Sequence, residues 1–420
     1  MKIRLLILII LFSNLLNAQS YKYAHYCLDS LSSKDFAGRG YSGYGDKKAA
    51  NFIIRELKNS GVKLLGKEGK QEFDLTINNI HTLELRLNNK DSIKIVGEDF
   101  LVLGSSPTKK IILEKEKLIV INKEKDYKKE LADYSSKVIL FNQKTTSLSK
   151  IYSFIRDLEK NYVTPKLIII QGYDKIQYAI GRNQIHFPVL QLKGEKIVNK
   201  IDYLELNIGS LLDEKYTSQN VWAMVEGTKY KDSLYVFTAH YDHLGKIGED
   251  CYFPGANDNA SGVSVLLDLA KYYAQNPSEY SIAFIFTAGE EMGLLGSKYA
   301  AENPLIDLSK VKFLFNMDMC GTGSGGIALI NGEKEKKASL QIQSINNDKR
   351  YFKEIRIGGE SCNSDHCPFV QKGVPAIFIF TFGCEYNEYH TIYDNGKDLS
   401  FTKHLDLCNI LKDFINTYNK

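Results

Sequence analysis

Four runs in the second half of the chain, "SLYVFTA", "SIAFIFTA", "VKFLFNM" and "VPAIFIFT", are apolar at nearly every position rather than at every second one. Side chains alternate sides along extended backbone, so a strand with neither set polar must be covered on both faces. Helices supply the cover: "SGVSVLLDLAKYYA" follows the first run, "GSKYAAEN" the second, and a last helix begins at about Ser400. The pattern predicts an α/β fold with a mixed, mostly parallel central sheet and helices on both faces. In such sheets ligands sit beyond the carboxyl ends of the strands, so the polar residues there are the ones to inspect.

Ahead of Val221 the text changes. "LSSKDFAGRGYSGYGDKKAANFIIRELKNSG" reads as a glycine-rich loop from Gly38 to Gly45 and then a helix, capped by Asp46, with Ala49, Phe52, Ile53 and Leu57 on its apolar side and Gly61 as its stop. Residues 76–220 instead hold short β-rich runs, "LELRL", "KLIVI", "KVILF", "KLIII" and "FPVLQL", around one helix, "SLSKIYSFIRDLEKNY". Its histidines, His81 and His186, stand in no cluster with carboxylates, so this stretch reads as a separate, small, β-rich and non-catalytic domain. A chain of 420 residues has room for it beside a larger one.

The formal charge of +4 and the lack of any like-charged block argue against nucleic acid or a membrane surface as partner. Residues 1–18, "MKIRLLILIILFSNLLNA", combine a basic start, an apolar stretch from Leu5 to Phe12 and a small residue, Ala18, at a cleavable position. They read as a signal peptide, too short in apolar length for the ~20 residues of a membrane anchor. The protein is therefore expected in the periplasm or the medium. Of the seven cysteines, Cys362 and Cys367 are the one close pair, and "CNSDHC" accommodates either a local disulfide or two free thiols.

The chemistry-bearing residues follow the apolar runs. His240 and Asp242 end the first, in "TAHYDHLG"; Glu290 and Glu291 end the second, in "FTAGEEMGLLGS"; Asp318 ends the third, in "FLFNMDMCG". Asp258 in "PGANDNASG" and His390 in "YHTIYDN" can reach the same rim. Each has an ordinary explanation alone: a loop pair, a solvated face, a helix cap with Ser261, a turn before Gly321. Together they form an inventory of imidazoles and carboxylates that suits zinc, and a shared carboxylate suits two ions. Asp242, two residues past His240, is placed to accept the second imidazole N–H and leave the other nitrogen for a metal. Of the adjacent pair Glu290 and Glu291, one can bind metal while the other serves as base toward water.

At these residues the chain resembles the co-catalytic zinc aminopeptidase family, which includes bacterial and vacuolar aminopeptidases and, more distantly, glutamate carboxypeptidase and transferrin receptor. The resemblance also covers "LSSKDFAGRGYSGYGDKKAANFI", "NSDHCPFVQKGVPAI" and the helix after "NDNASG". It implies a zinc exopeptidase fold, with residues 19–75 and 221–420 as one discontinuous catalytic domain and residues 76–220 as an inserted protease-associated-like domain. It also implies two zinc ions per chain, bridged by Asp258, with His240 and Asp318 completing one site and Glu291 and His390 the other. Glu290 would be the general base and Asp242 the partner of His240. Asp365 and His366 would support the site's wall, and the family pattern selects His240 over the second imidazole, His243.

The expected activity is removal of N-terminal residues from peptides with a free amino terminus. A single-zinc glutaminyl-peptide cyclotransferase is the nearest rival, since "YHTIYDN" echoes its ending motif. Glutamate carboxypeptidase activity fits less well, because acidic substrates call for arginines and the middle segment offers only Arg86, Arg156 and Arg182. A binding protein on an inactive peptidase scaffold would be expected to lack metal.

Overall fold

The four apolar runs are neighbours in the centre of one sheet. The computed structural model describes residues 19–123, 126, 130–194 and 197–418, so the signal peptide expected over residues 1–18 lies outside the described residues. The strands that position the site are β1 (Lys200–Val225), β2 (Tyr230–His240), β3 (Tyr280–Thr287), β4 (Val311–Met317), β5 (Gly326–Ile330), β6 (Ile355–Ile357) and β7 (Ala376–Phe382). They lie in the order β1-β3-β2-β4-β7-β5-β6. The pairs β3-β2, β2-β4 and β4-β7 are parallel, whereas β1 runs against β3 and β5 against β7. Parallel pairing thus joins the four apolar runs, and it recurs at one margin, where β5 and β6 are also parallel.

The two-sided burial is legible residue by residue. Tyr235, Phe237 and Ala239 face one core while Leu234 and Val236 face the other, and β3 splits likewise into Ile282, Phe284 and Phe286 against Ala283 and Ile285. On the first face the Phe237 ring stacks on Phe284 at 5.8 Å and on Phe315 at 5.7 Å, linking three strands. Each such buried ring contributes about 1.5–3 kcal/mol through removal from water. Helices Gly45–Asn59, Ser261–Gln275 and His404–Thr417 close this face. Helices Leu295–Glu302 and His366–Gln371 close the other.

Sequence periodicity missed some elements on this frame. The helix Lys336–Lys349 buries Ala338, Ser339, Ile342 and Ile345, too sparse an apolar stripe amid polar residues to stand out. A helix over residues 19–31 buries Ala24, Cys27, Leu28 and Leu31. Asp46 does not cap the helix Gly45–Asn59: it lies in the first turn, fully buried, and its carboxylate accepts hydrogen bonds from Tyr216 at 2.6 Å and Ser218 at 2.8 Å. The helix does stop at Gly61, which takes a left-handed φ of 75°.

The middle segment has its own hydrophobic core and a five-stranded sheet, with the runs at Ile119–Ile121, Val138–Asn142, Leu167–Tyr173 and Val189–Lys193 pairing in parallel. Lys70–Leu87 and Lys109–Lys117 both pair with β1, whose 26 residues run from the middle segment into the central sheet. Leu244, Ile247, Cys251 and Phe253, from the loop after β2, pack into the core of the middle segment. Among the described residues no helix is long and apolar enough to cross a membrane.

Candidate metal centre

Because β2, β3 and β4 are parallel neighbours, their carboxyl ends deliver His240, the Glu290–Glu291 pair and Asp318 to one edge of the sheet. Asp258 comes from the turn ahead of the helix Ser261–Gln275, and its peptide bond to Asn259 is cis. Asn259 holds that turn against β4: its side chain donates to Met317 O at 2.9 Å and accepts from the N–H groups of Gly262 and Met319. Gly262 cannot carry a side chain, since a Cβ would lie 2.5 Å from Met317 O. Ser261 is not a cap: its hydroxyl donates to Asn257 O and accepts from the Cys320 N–H.

Two groups of donors share Asp258. His240 Nε2 lies 3.2 Å from both Asp258 Oδ1 and Asp318 Oδ1. His390 Nε2 lies 3.2 Å from both Asp258 Oδ2 and Glu291 Oε2. His243 also faces Glu291, with Nδ1 2.8 Å from Oε1 but 3.9 Å from Asp258 Oδ2. Its shorter contact is a hydrogen bond, whereas His390 is equidistant from two carboxylates. His240, Asp258 and Asp318 bring ligand atoms within 4.8 Å of one another, as do His243, Asp258 and Glu291, with His390 3.2 Å from the same two carboxylates; imidazoles and carboxylates at such spacing fit divalent ions such as zinc. Asp268, His404 and Cys408 also lie together, away from the strand ends. There the Asp268 carboxylate accepts hydrogen bonds from Ser20 and His404 and ties the surrounding helices together.

The surrounding groups aim these donors. His240 Nδ1 contacts the backbone carbonyl of Asp242 at 3.1 Å, while the Asp242 carboxylate is 3.7 Å away. Both the carbonyl and the carboxylate of Asp242 therefore face this nitrogen, the carbonyl being the nearer. The Asp242 carboxylate also accepts from Tyr41 Oη at 3.0 Å and from the Glu290 N–H at 3.2 Å, which holds the Glu290 turn against the His240 loop. Ser364 donates to Asp318 Oδ2 at 2.6 Å and accepts from Asn316, itself held by Thr238. Cys362 and Cys367 form a disulfide around this serine. Asp365 accepts from Thr287, and His366 contacts Ser361 O at 2.9 Å.

Arg39 and Asp394 carry no signal in the sequence beyond a "GRG" tripeptide and a carboxylate four residues after His390. Arg39 is fully buried and donates to the carbonyls of Leu31, Tyr241, Pro254, Gly255 and Asp258. It thereby joins the loop after His240 to the turn bearing Asp258. Burial lowers its pKa to about 10, still charged at neutral pH, with the charges of Asp394 and Asp258 opposing that shift most. Asp394 accepts the N–H groups of Asn257 and Asp258. Gly40 makes this packing possible, since a Cβ there would lie 2.3 Å from Gly245 Cα.

Burial raises the Glu290 carboxyl well above its ordinary range, and Asp318, Glu291 and Asp365 push the same way against His240. Burial also pushes Asp258 and Glu291 upward, but contacts with the histidines win: Asp258 falls well below its ordinary value and Glu291 to about 2. Burial lowers His390, yet Glu291 and Asp258 carry it to about 10. Of Asp258, Glu290 and Glu291, Glu290 is thus the one held above its ordinary range. Tyr389, 44% exposed, stacks on His390 at 3.7 Å, and desolvation of its phenol followed by the charges of Asp258, Glu291, Asp318 and Glu290 pushes that phenol upward.

Residues 220–412 match peptidase family M28. The metal-bearing half of the chain is thus similar to peptidase family M28. Among curated proteins, aminopeptidase YwaD of Bacillus subtilis (strain 168) is 30% identical over 240 residues, 53% of this chain and 49% of that protein. A probable zinc metalloprotease of Pyrenophora teres f. teres is 30% identical over 163 residues, 37% of this chain and 33% of that protein. The chain spans half or less of the length of these curated relatives. Among solved M28-like folds, a peptidase M28 precursor from Shewanella amazonensis superposes with a TM-score of 0.73 at 18% identity, over 96% of this chain and 94% of that one. A zinc aminopeptidase from Bacillus subtilis superposes with a TM-score of 0.71 at 22% identity, over 93% of each chain.

Proposed function

We propose that the chain is an exported zinc aminopeptidase that hydrolyses the first peptide bond of substrates with a free amino terminus. The observation that supports this most is the sharing of Asp258 between two donor groups, His240 with Asp318 and His390 with Glu291. In this reading each group holds one zinc ion, and the names of the M28 relatives support both the metal and the reaction class. Bound there, a zinc pair supplies Lewis-acid polarisation of the scissile carbonyl and of water.

The protein's own residues perform the rest. Glu290, basic and placed by the Asp242 contact, takes the proton as water attacks the carbonyl carbon and returns it to the departing nitrogen. The Tyr389 phenol, held protonated, is a hydrogen-bond donor for charge developing on the carbonyl oxygen. The excess of carboxylates around the cluster favours a cationic amino terminus over a blocked one. The cyclotransferase alternative needs one ion only, and the second donor group argues against it.

Glu290→Gln preserves shape and removes the base. Turnover of aminoacyl amides should fall by roughly 10²–10⁴-fold with bound zinc unchanged. Near-normal turnover in this variant would remove Glu290 from the mechanism.

A further inference from the structure

The middle segment, which sequence composition presents as a non-catalytic domain, reaches the centre. Its loop over residues 174–182 is rooted in its own core: Asn78 N–H donates to Gly181 O at 2.8 Å, and Gly181 packs so closely on Gly104 that a Cβ would lie 2.3 Å from that carbonyl oxygen. From there the loop crosses to the segment bearing His390. Tyr178 N–H donates to His390 O at 3.1 Å, Gln177 Nε2 to Tyr389 O at 3.2 Å and Lys175 Nζ to Asn387 O at 3.1 Å. Lys175 also pairs with Glu388. The Tyr178 ring stacks on Phe253 at 5.2 Å and 18°. At the loop's far end Arg182 Nη1 donates to Met292 O at 2.8 Å, immediately after Glu291.

These contacts fall on one half of the donor set. His390 has a left-handed φ of 57°, a conformation a non-glycine residue keeps only where its surroundings hold it, and its carbonyl is the group that Tyr178 holds. Gly293, next to Met292, takes a left-handed φ of 86° beside the Arg182 guanidinium. The opposite half is braced from the central sheet, through Thr238 on β2 and Asn316 on β4 to Ser364, in the loop ahead of the helix His366–Gln371, and so to Asp318.

We propose that residues 174–182 of the middle segment are a positioning element of the centre, fixing the Glu291 and His390 half of the donor set while the sheet itself fixes the His240 and Asp318 half. The inference rests on the two-ion reading above. Its consequence is that the middle segment controls the affinity of one ion.

The test is a titration of the metal-stripped full chain with zinc against a competing chelator. Arg182→Ala and the double variant Lys175→Ala with Gln177→Ala should each weaken, on the order of 10-fold, the binding step that His390→Ala abolishes. Ser364→Ala should weaken the other step by a similar factor, and each set should leave its opposite unchanged. Unchanged affinities in both loop variants, or a joint fall of both steps, would overturn the proposal. A wild-type protein with one binding step removes the two-ion reading instead, and the loop's role is then upheld or refuted by whether its variants weaken that single step.

Discussion

The two halves of the donor set are held in different ways. His240 is the last residue of β2 and Asp318 follows β4 directly, so parallel neighbouring strands fix their separation. His390 lies eight residues beyond the end of β7 at Phe382 (390 − 382), on a loop whose carbonyls are tied to the middle segment. A ligand on a strand end inherits the rigidity of the sheet, while a ligand on a long loop needs a brace from elsewhere. A bimetallic site can therefore take its precision from two parts of one chain, and damage to either should be readable as loss at one position.

Asp258→Ala should erase the distinction. Both groups lose their common oxygen donor, so zinc binding at both positions and all peptidase activity should collapse, by at least the 10–100-fold that lesser, outer contacts command. Retention of one position at wild-type affinity would mean that Asp258 is not shared. Arg39→Lys should act on both halves more mildly, because its carbonyl partners flank His240 and Asp258 alike. Lysine keeps the charge but lacks the planar fork, leaving some of those carbonyls without a donor at about 1–3 kcal/mol each. Thermal denaturation should show a lowered Tm, and zinc titration a similar weakening of both steps; weakening of one alone would contradict the reading that Arg39 ties the two loops together.

The same contrast explains what the sequence revealed. Strands buried on both faces announce themselves as unbroken apolar runs, and a polar residue at the end of one, such as His240 or Asp318, stands out against them. His390 has a looser frame: it follows the last apolar run at a distance and can be placed only as able to reach the same rim, and its role as a ligand comes from the resemblance of "YHTIYDN" to a known family. The His-x-Asp spacing does bring Asp242 to His240 Nδ1, and what it does not reveal is that the Asp242 backbone carbonyl lies closer than the carboxylate. Arg39 and the 174–182 loop were opaque for a deeper reason: their partners are distant in the chain, and long-range hydrogen bonds to backbone carbonyls leave no mark on composition or periodicity. The helix Lys336–Lys349 was hidden by a polar surface around a thin apolar stripe.

The account rests on a bridging carboxylate with an ion on each side, and metal content measures that directly. Elemental analysis of the zinc-saturated, chelator-washed full chain should find two zinc ions per chain in the wild type. One ion per chain, or none, would contradict it.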